Sequence, residues 1–147
     1  RECTSSPSTV ARYQKQISGP LLDRIDVFVE VPPVEYEKLV EEEPAEDSRQ
    51  PRLRVEEAKG IQQDQFKEWG FYCNSEMGPA EAWKFCQLDE GARGLLQTAT
   101  QRLNRSARAL HRILKVSRTI ADLEDSDGIN IAHLAEALQY RPRTVVS

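Results

Sequence analysis

The sequence contains no apolar run near the roughly 20 consecutive residues that a membrane-spanning helix needs, and its first residues, Arg1-Glu2-Cys3, lack the apolar stretch of a secretory signal. We therefore expect neither a membrane helix nor a cleaved leader. No Gly-rich loop ends in Lys-Ser or Lys-Thr, so the backbone N–H cradle and single ammonium that a nucleotide hydrolase places on phosphates are missing from these 147 residues. No Ser-His-Asp, Cys-His or paired-carboxylate constellation stands out either, and the segment alone is expected to be catalytically inactive. The three cysteines, Cys3, Cys73 and Cys86, form no C-x-x-C pair. An odd, scattered set of thiols points to a reducing, cytoplasmic setting and offers no metal site. The chain starts without Met, and the expectation is a segment of a longer protein that holds much of the chemistry elsewhere.

What is present is charge, unevenly spread. Charged residues make up 30% and apolar residues 39%, with a net charge of -4, a globular composition and not that of a general nucleic-acid coat. Glu35, Glu37, Glu41, Glu42, Glu43, Glu46 and Asp47 face only Lys38 in their stretch. Between positions 91 and 121 the sign reverses: Arg93, Arg102, Arg105, Arg108, Arg112, Lys115 and Arg118 occur with no acidic residue among them. An acidic linker and a basic helical segment are the two electrostatic features.

Residues 7–17 read as a short helix with Ser6 as N-cap and Pro7 at the first helical position, stopped by Gly19-Pro20. Residues 25–31 alternate apolar and polar side chains with β-branched enrichment before Pro32-Pro33, which predicts a strand. A lone strand cannot satisfy its backbone, so it must pair with something outside this chain or sit as a weakly held edge. A helix over 34–40 and an acidic, proline-bearing stretch to residue 50 follow. Beyond this boundary every element predicted is helical: 51–69, with Val55, Ala58, Ile61, Gln62, Phe66 and Trp69 inward and Gly70 as terminator; 79–85; 89–103; a long amphipathic helix capped by Ser106; and a last helix from Asn130 to about Tyr140. Residues 74–78 read as a turn. Trp69, Phe71, Tyr72, Trp83 and Phe85 are expected to pack between helices.

Two arginines carry candidate chemistry. Arg24 stands between Asp23 and Asp26 at the mouth of the predicted strand. It reads either as a structural ion-pair residue or as an arginine finger, whose planar fork and permanent charge stabilise a phosphoryl group in transfer. Arg108 falls in the first turn of the long helix, where the macrodipole disfavours a cation by roughly 0.3–1 kcal/mol. It is either a solvated member of the basic stripe or one half of a phosphate site made with the helix N-terminus. Arg105, Arg112 and Lys115 on the same stripe are candidate nucleic-acid contacts, because clustered cations on one face suffice to neutralise phosphates. No aromatic residues interleave with them, so no stacking platform for single strands is indicated.

These phrases together resemble the C-terminal region of the magnesium-chelatase-related, competence-linked AAA+ ATPase family, which is similar to the ATPase subunit of magnesium chelatase. The resemblance rests on Arg12-Tyr13-Gln14, on the run from Ile17 to Asp26 with Val29-Glu30-Val31-Pro32, and on Arg54-Val55 with Ala58 and Gln62. It is completed by Ser106-Ala107-Arg108-Ala109, by His111-Arg112-Ile113-Leu114-Lys115-Val116, and by Arg118-Thr119-Ile120-Ala121-Asp122-Leu123. It implies a mainly α fold: residues 1–33 as the last helix and strand of an α/β nucleotide-binding core, 34–50 as an acidic linker with a short helix, and 51–147 as a helical lid.

The same resemblance implies that Arg24 is the arginine finger acting on ATP bound by a neighbouring subunit, and that Arg108 is the sensor-2 arginine acting on ATP of its own subunit. ATP and Mg2+ would be used by the intact protein and not held by this segment alone. The partners implied are neighbouring subunits of a homo-oligomeric ring that remodels a substrate, with DNA the candidate from natural competence, and no membrane. Chelation of magnesium does not follow, since likeness in a motor does not transfer its substrate. Two departures from the family pattern are Ser5, where a second cysteine would follow Cys3-Thr4, and Gln65, where the first lid helix often has Arg. The competing reading is a non-catalytic helical module that binds nucleic acid or protein through the stripe from Arg105 to Lys115.

Overall fold

A computed structural model describes residues 5–6, 8–9, 12, 24–33, 47–103 and 107–141, without the side chains of 102 and 103. The helices expected over 7–17 and 34–40 lie largely or wholly outside these residues, as do the Ser106 cap and most of the acidic linker. Ser8, Thr9 and Arg12 are helical, and Ser6 Oγ accepts the Thr9 N–H at 3.3 Å.

Five α-helices and one short 3-10 turn form the described body. They are α1 (Arg49–Phe66), the 3-10 turn (Asn74–Glu76), α2 (Pro79–Phe85), α3 (Glu90–Leu103), α4 (Ala107–Leu123) and α5 (Ile131–Gln139). The mainly helical expectation holds. Helix α1 begins two residues earlier than its sequence predicts and ends at Phe66, three residues before Trp69. Pro51 is harmless there because the N–H it lacks falls in the first turn, where no intrahelical acceptor exists. Gly70 adopts φ 75°, the left-handed conformation that only glycine takes without strain.

Each later helix starts where a local signal places it. Pro79 opens α2. Asp89 Oδ1 accepts the Ala92 N–H at 2.6 Å ahead of α3. Asn130 Oδ1 accepts the Ala132 and His133 N–H groups at 2.8 and 3.1 Å, and His133 Nδ1 accepts the Asn130 N–H at 3.2 Å. This is a reciprocal capping box in which His takes the position usually held by Glu or Gln. With Nδ1 accepting, the ring's proton sits on Nε2, which donates to Glu124 Oε2 at 2.8 Å.

Helix α4 is the centre of the bundle, against α1, α2, the 3-10 turn and α5, while α3 packs on α5. Ile113, Leu114, Ile120 and Ala121 of α4 meet Phe66, Met77, Cys86, Ala92, Leu96, Ile129 and Leu134 in one core. A parallel bridge between Leu88 and Ile129 ties the α2–α3 connection to the α4–α5 connection. Helix α4 closes with the Ser126 N–H on the Ala121 carbonyl and the Asp125 N–H on the Asp122 carbonyl, at 2.9 and 3.2 Å, with Asp125 at φ 52°. That is a Schellman motif with Asp in the left-handed position.

The core is not wholly apolar. Arg118 and Asp122, one turn apart on α4, are 3% and 2% exposed. Arg118 Nε donates to Asp122 Oδ1 at 2.7 Å, and its two terminal nitrogens donate to the Asp127 and Ser126 carbonyls. Asp122 Oδ2 accepts from Gln62 Nε2 of α1 at 2.9 Å and from Asn74 Nδ2 of the 3-10 turn at 2.7 Å. Gln62 Oε1 in turn accepts the Asn74 N–H at 3.1 Å. A single carboxylate therefore joins α1, the 3-10 turn, α4 and, through Arg118, the α4–α5 turn.

Two expectations differ from what is observed. Residues 25–33 have no regular secondary structure and belong to no sheet among the described residues, and Ile25, Val27, Val29 and Val31 are exposed. The ladder N–H and C=O groups that make a strand must come from another segment; here Phe28 N–H reaches only the Tyr140 carbonyl at 2.8 Å. The aromatic residues also divide. Phe66, Phe71 and Phe85 cluster with ring centroids 4.5 to 6.4 Å apart. Trp69, Tyr72 and Trp83 remain exposed. Helix α1 has ended before Trp69, which lies edge-on to Phe85 and under the Lys84 ammonium at 4.0 Å from its centroid.

Removal of one partner from a buried ion pair strands the other, which typically costs about 3–5 kcal/mol. Asp122→Ala is expected to lose that much in urea unfolding followed by circular dichroism; a loss below about 1 kcal/mol would contradict the role given to this network. Cys86 supplies a second test. Burial, more than the opposing Arg118 charge, pushes its thiol from 9.0 up to about 12. A raised thiol pKa means that the folded state keeps a proton the unfolded state releases, so its contribution to stability falls as pH rises from about 9 to 12. Native protein at pH 8 is expected to alkylate at half-buried Cys73 and spare Cys86, and Cys86→Ala should flatten the alkaline loss of stability.

Candidate phosphate-binding groove

The N-terminus of α4 lacks acidic residues in its first turn, so its positive dipole end is not neutralised within the helix. Arg108 sits in that turn and is exposed. Beside it runs the segment that follows Arg24, and the two meet at a groove of about 520 Å³. Arg24, Arg108, His111, Arg112 and Lys115 line it, with Asp26 as the one carboxylate among the described residues, and Gly78-Pro79 at the start of α2 forms part of its wall. The structure thus brings together four of the five basic candidates. Arg105 lies outside the described residues.

The four cations are not equivalent. Arg112 is 18% exposed at its side chain; its Nη1 donates to the Ile25 carbonyl at 3.2 Å, and its Nε stands 3.8 Å from Asp26 Oδ1. Lys115 Nζ donates to the Ser75 carbonyl at 2.9 Å and so holds the 3-10 turn. Arg24 and Arg108 are exposed, and no hydrogen bond or ion pair among the described residues engages either. Asp26, the acidic neighbour that a structural reading of Arg24 calls on, is paired with Arg112; Asp23 lies outside the described residues. The groove therefore holds two anchored cations and two open ones.

Chemically, two open guanidinium groups beside a helix N-terminus fit a polyanion with planar oxygen edges, above all a phosphate chain. Among the described residues that line it, the one carboxylate, Asp26, is paired with Arg112, and no Ser, Thr or Cys side chain is present. Among the described residues no group of three or more His, Cys, Asp and Glu side chains could hold a metal ion. These residues can supply positive charge to an ATP phosphate chain, and a magnesium ion on it would need ligands from elsewhere. No helix among the described residues is long and apolar enough to cross a membrane.

Sequence reasoning did not find His111 in this wall. It lies one turn beyond Arg108 with its ring edge-on to Trp83 at 6.2 Å, and i, i+3 spacing from Arg108 was the available signal. The buried Arg118–Asp122 pair was also missed as a pair. Its i, i+4 spacing on a helix otherwise free of acids was the sign that could have been read.

Comparisons agree across the two parts of the chain. Residues 1–39 match the family described as magnesium chelatase, subunit ChlI, and residues 45–141 match its C-terminal family, magnesium chelatase, subunit ChlI C-terminal. The chain is 41% identical to Competence protein ComM of Haemophilus influenzae over 138 residues, which is 93% of this chain and 26% of that protein. It is 38% identical to Uncharacterized protein YifB of Escherichia coli over 142 residues, 95% of this chain and 26% of the relative. For YifB of Salmonella typhimurium the identity is 36% over 140 residues, again 95% and 26%. The chain spans about a quarter of the length of these curated relatives.

Proposed function

This chain belongs to the magnesium chelatase subunit ChlI family, and we propose that it supplies the arginines for ATP hydrolysis by the full-length protein that carries it. In this reading residues 1–33 complete a nucleotide-binding core, 34–50 link it to the lid, and 51–147 form that lid. Arg24 is the arginine finger and Arg108 the sensor-2 arginine. The observation that carries the proposal is that the only two open arginines among the described residues lining the groove are these two.

Their shared groove changes one part of the expectation. Two arginines lining one cavity of about 520 Å³ reach one phosphate chain more readily than two separate nucleotides. We therefore assign both to the same ATP. A finger acts on the nucleotide of the adjacent subunit, so Arg108 acts in trans with it, and the assembly is a ring of like subunits. A guanidinium held in a groove and aimed at developing charge is the kind of contact that is worth several powers of ten in rate.

The remodelled partner is proposed to be DNA, on the support of the relative named as a competence protein, in the cytoplasm. The alternative binding-module reading draws less support. Arg112 and Lys115, two of the three cations it needs beside Arg108, are held by the Ile25 and Ser75 carbonyls.

The test mixes subunits of the full-length protein. Subunits carrying Arg24→Ala or Arg108→Ala, each expected to hydrolyse ATP at least about 100-fold more slowly, are combined with subunits lacking the P-loop lysine. Recovered hydrolysis in both mixtures is expected. Recovery with Arg24→Ala alone would return Arg108 to its own subunit's nucleotide. No recovery in either, with mixed rings verified, would overturn the proposal.

A further inference from the structure

The groove needs Arg24 and Arg108 at a fixed separation, yet they come from different parts of the chain. Arg24 lies in a turn that leads into a segment, residues 25–33, with no sheet partners among the described residues, and Arg108 lies on the central helix. Something must set one against the other. Arg112 lies one turn beyond Arg108 on α4, so the two point along the same face. Its Nη1 donates to the carbonyl of Ile25, the residue after Arg24 and 87 positions away, and its Nε faces Asp26 at 3.8 Å. A further hold on the segment is the Phe28 N–H on the carbonyl of Tyr140, which ties its middle to the residue that follows α5.

We infer that Arg112 is a positioning residue that clamps the backbone just after Arg24 to the helix carrying Arg108, so that the two arginines present to a phosphate chain as one unit. This rests on the reading of Arg24 and Arg108 as phosphate-binding groups. A planar guanidinium suits such a clamp, because Nη1 donates along a fixed direction to the Ile25 carbonyl while the delocalised charge faces the Asp26 carboxylate at the ion-pair distance of 3.8 Å. The guanidinium is largely buried between helix and segment, whereas Arg24 and Arg108 are open to solvent. Arg112 therefore acts through Arg24 and not on the phosphate itself.

The experiment uses the full-length protein with Arg112→Gln, and Arg112→Lys as the variant that keeps one donor and the charge. Hydrogen exchange without nucleotide reads the clamp directly. Amides of residues 25–29 are expected to exchange at least about tenfold faster in Arg112→Gln, with those of residues 113–121 unchanged and Arg112→Lys intermediate. In single-turnover hydrolysis, Arg112→Gln is expected to lower the rate about 10- to 100-fold with little change in the ATP concentration at half-saturation. It should add no further loss in an Arg24→Ala background. Unchanged exchange over 25–29 would overturn the clamp, and losses that multiply with Arg24→Ala would overturn action through Arg24. Hydrolysis indifferent to Arg24→Ala would instead sink the reading of the groove, whatever the exchange result.

Discussion

The buried carboxylate of Asp122 is the constraint around which the helical body is arranged. It accepts from Arg118, Gln62 and Asn74 at 2.7 to 2.9 Å and is 2% exposed. A buried anion is tolerated only when its lone pairs are filled and a counter-charge is close. Each of those donors belongs to an element that must arrive in register: Gln62 from the inner face of α1, Asn74 from the 3-10 turn, Arg118 from α4 itself. Arg118 passes the constraint on, because its remaining nitrogens hold the carbonyls of Ser126 and Asp127 just past the Schellman turn. That turn leads to the Asn130–His133 cap and so sets the start of α5. Apolar packing alone would leave α4 free to rotate or slide by a turn; the network does not.

The groove inherits this rigidity. With α4 fixed at its C-terminal half by Asp122, its N-terminal turn is a firm platform for Arg108. Lys115, midway along, holds the 3-10 turn by the Ser75 carbonyl, and Arg112 holds the segment that carries Arg24. One helix thus has a division of labour along its length: an apolar face and a buried ion pair to place it, two anchored cations to bring other segments to it, and one open arginine at its tip. A basic helical stripe need not be a nucleic-acid surface when half of its charges are already satisfied by carbonyls and a carboxylate.

Much of the helical order was legible from local signals that act within a few residues. Pro79, Asp89 and Asn130 announce three helix starts and the 3.6 period marks α4, whereas Gly70, expected to end α1, stands four residues past its end at Phe66. Arg24 and Arg108 were singled out by local context as well, one by its place at a strand mouth and one by its conflict with the helix dipole. What was not legible depends on long-range pairing. That Asp26 pairs with Arg112 and not with Arg24 follows from the docking of the 25–33 segment on α4, in which Arg112 and Ile25 meet across 87 positions, and no periodicity encodes it. Charged residues at an i, i+4 spacing look solvent-facing until other elements close over them, as Gln62 and Asn74 do over Arg118 and Asp122. Trp69 and Trp83 look like core for the opposite reason: their size predicts burial, but Phe66, Phe71 and Phe85 already fill the space. The alternation of residues 25–31 describes one half of a ladder, and a ladder needs its other half to be a strand.

Everything proposed for the groove turns on Arg24 and Arg108 of one subunit serving a single nucleotide. A structure of the assembled full-length protein with a non-hydrolysable ATP analogue would decide it. Both guanidinium groups of a subunit are expected within about 3 Å of phosphate oxygens of the same analogue, bound by the neighbouring subunit. Arginines on two different nucleotides, or Arg108 turned against protein alone, would contradict it.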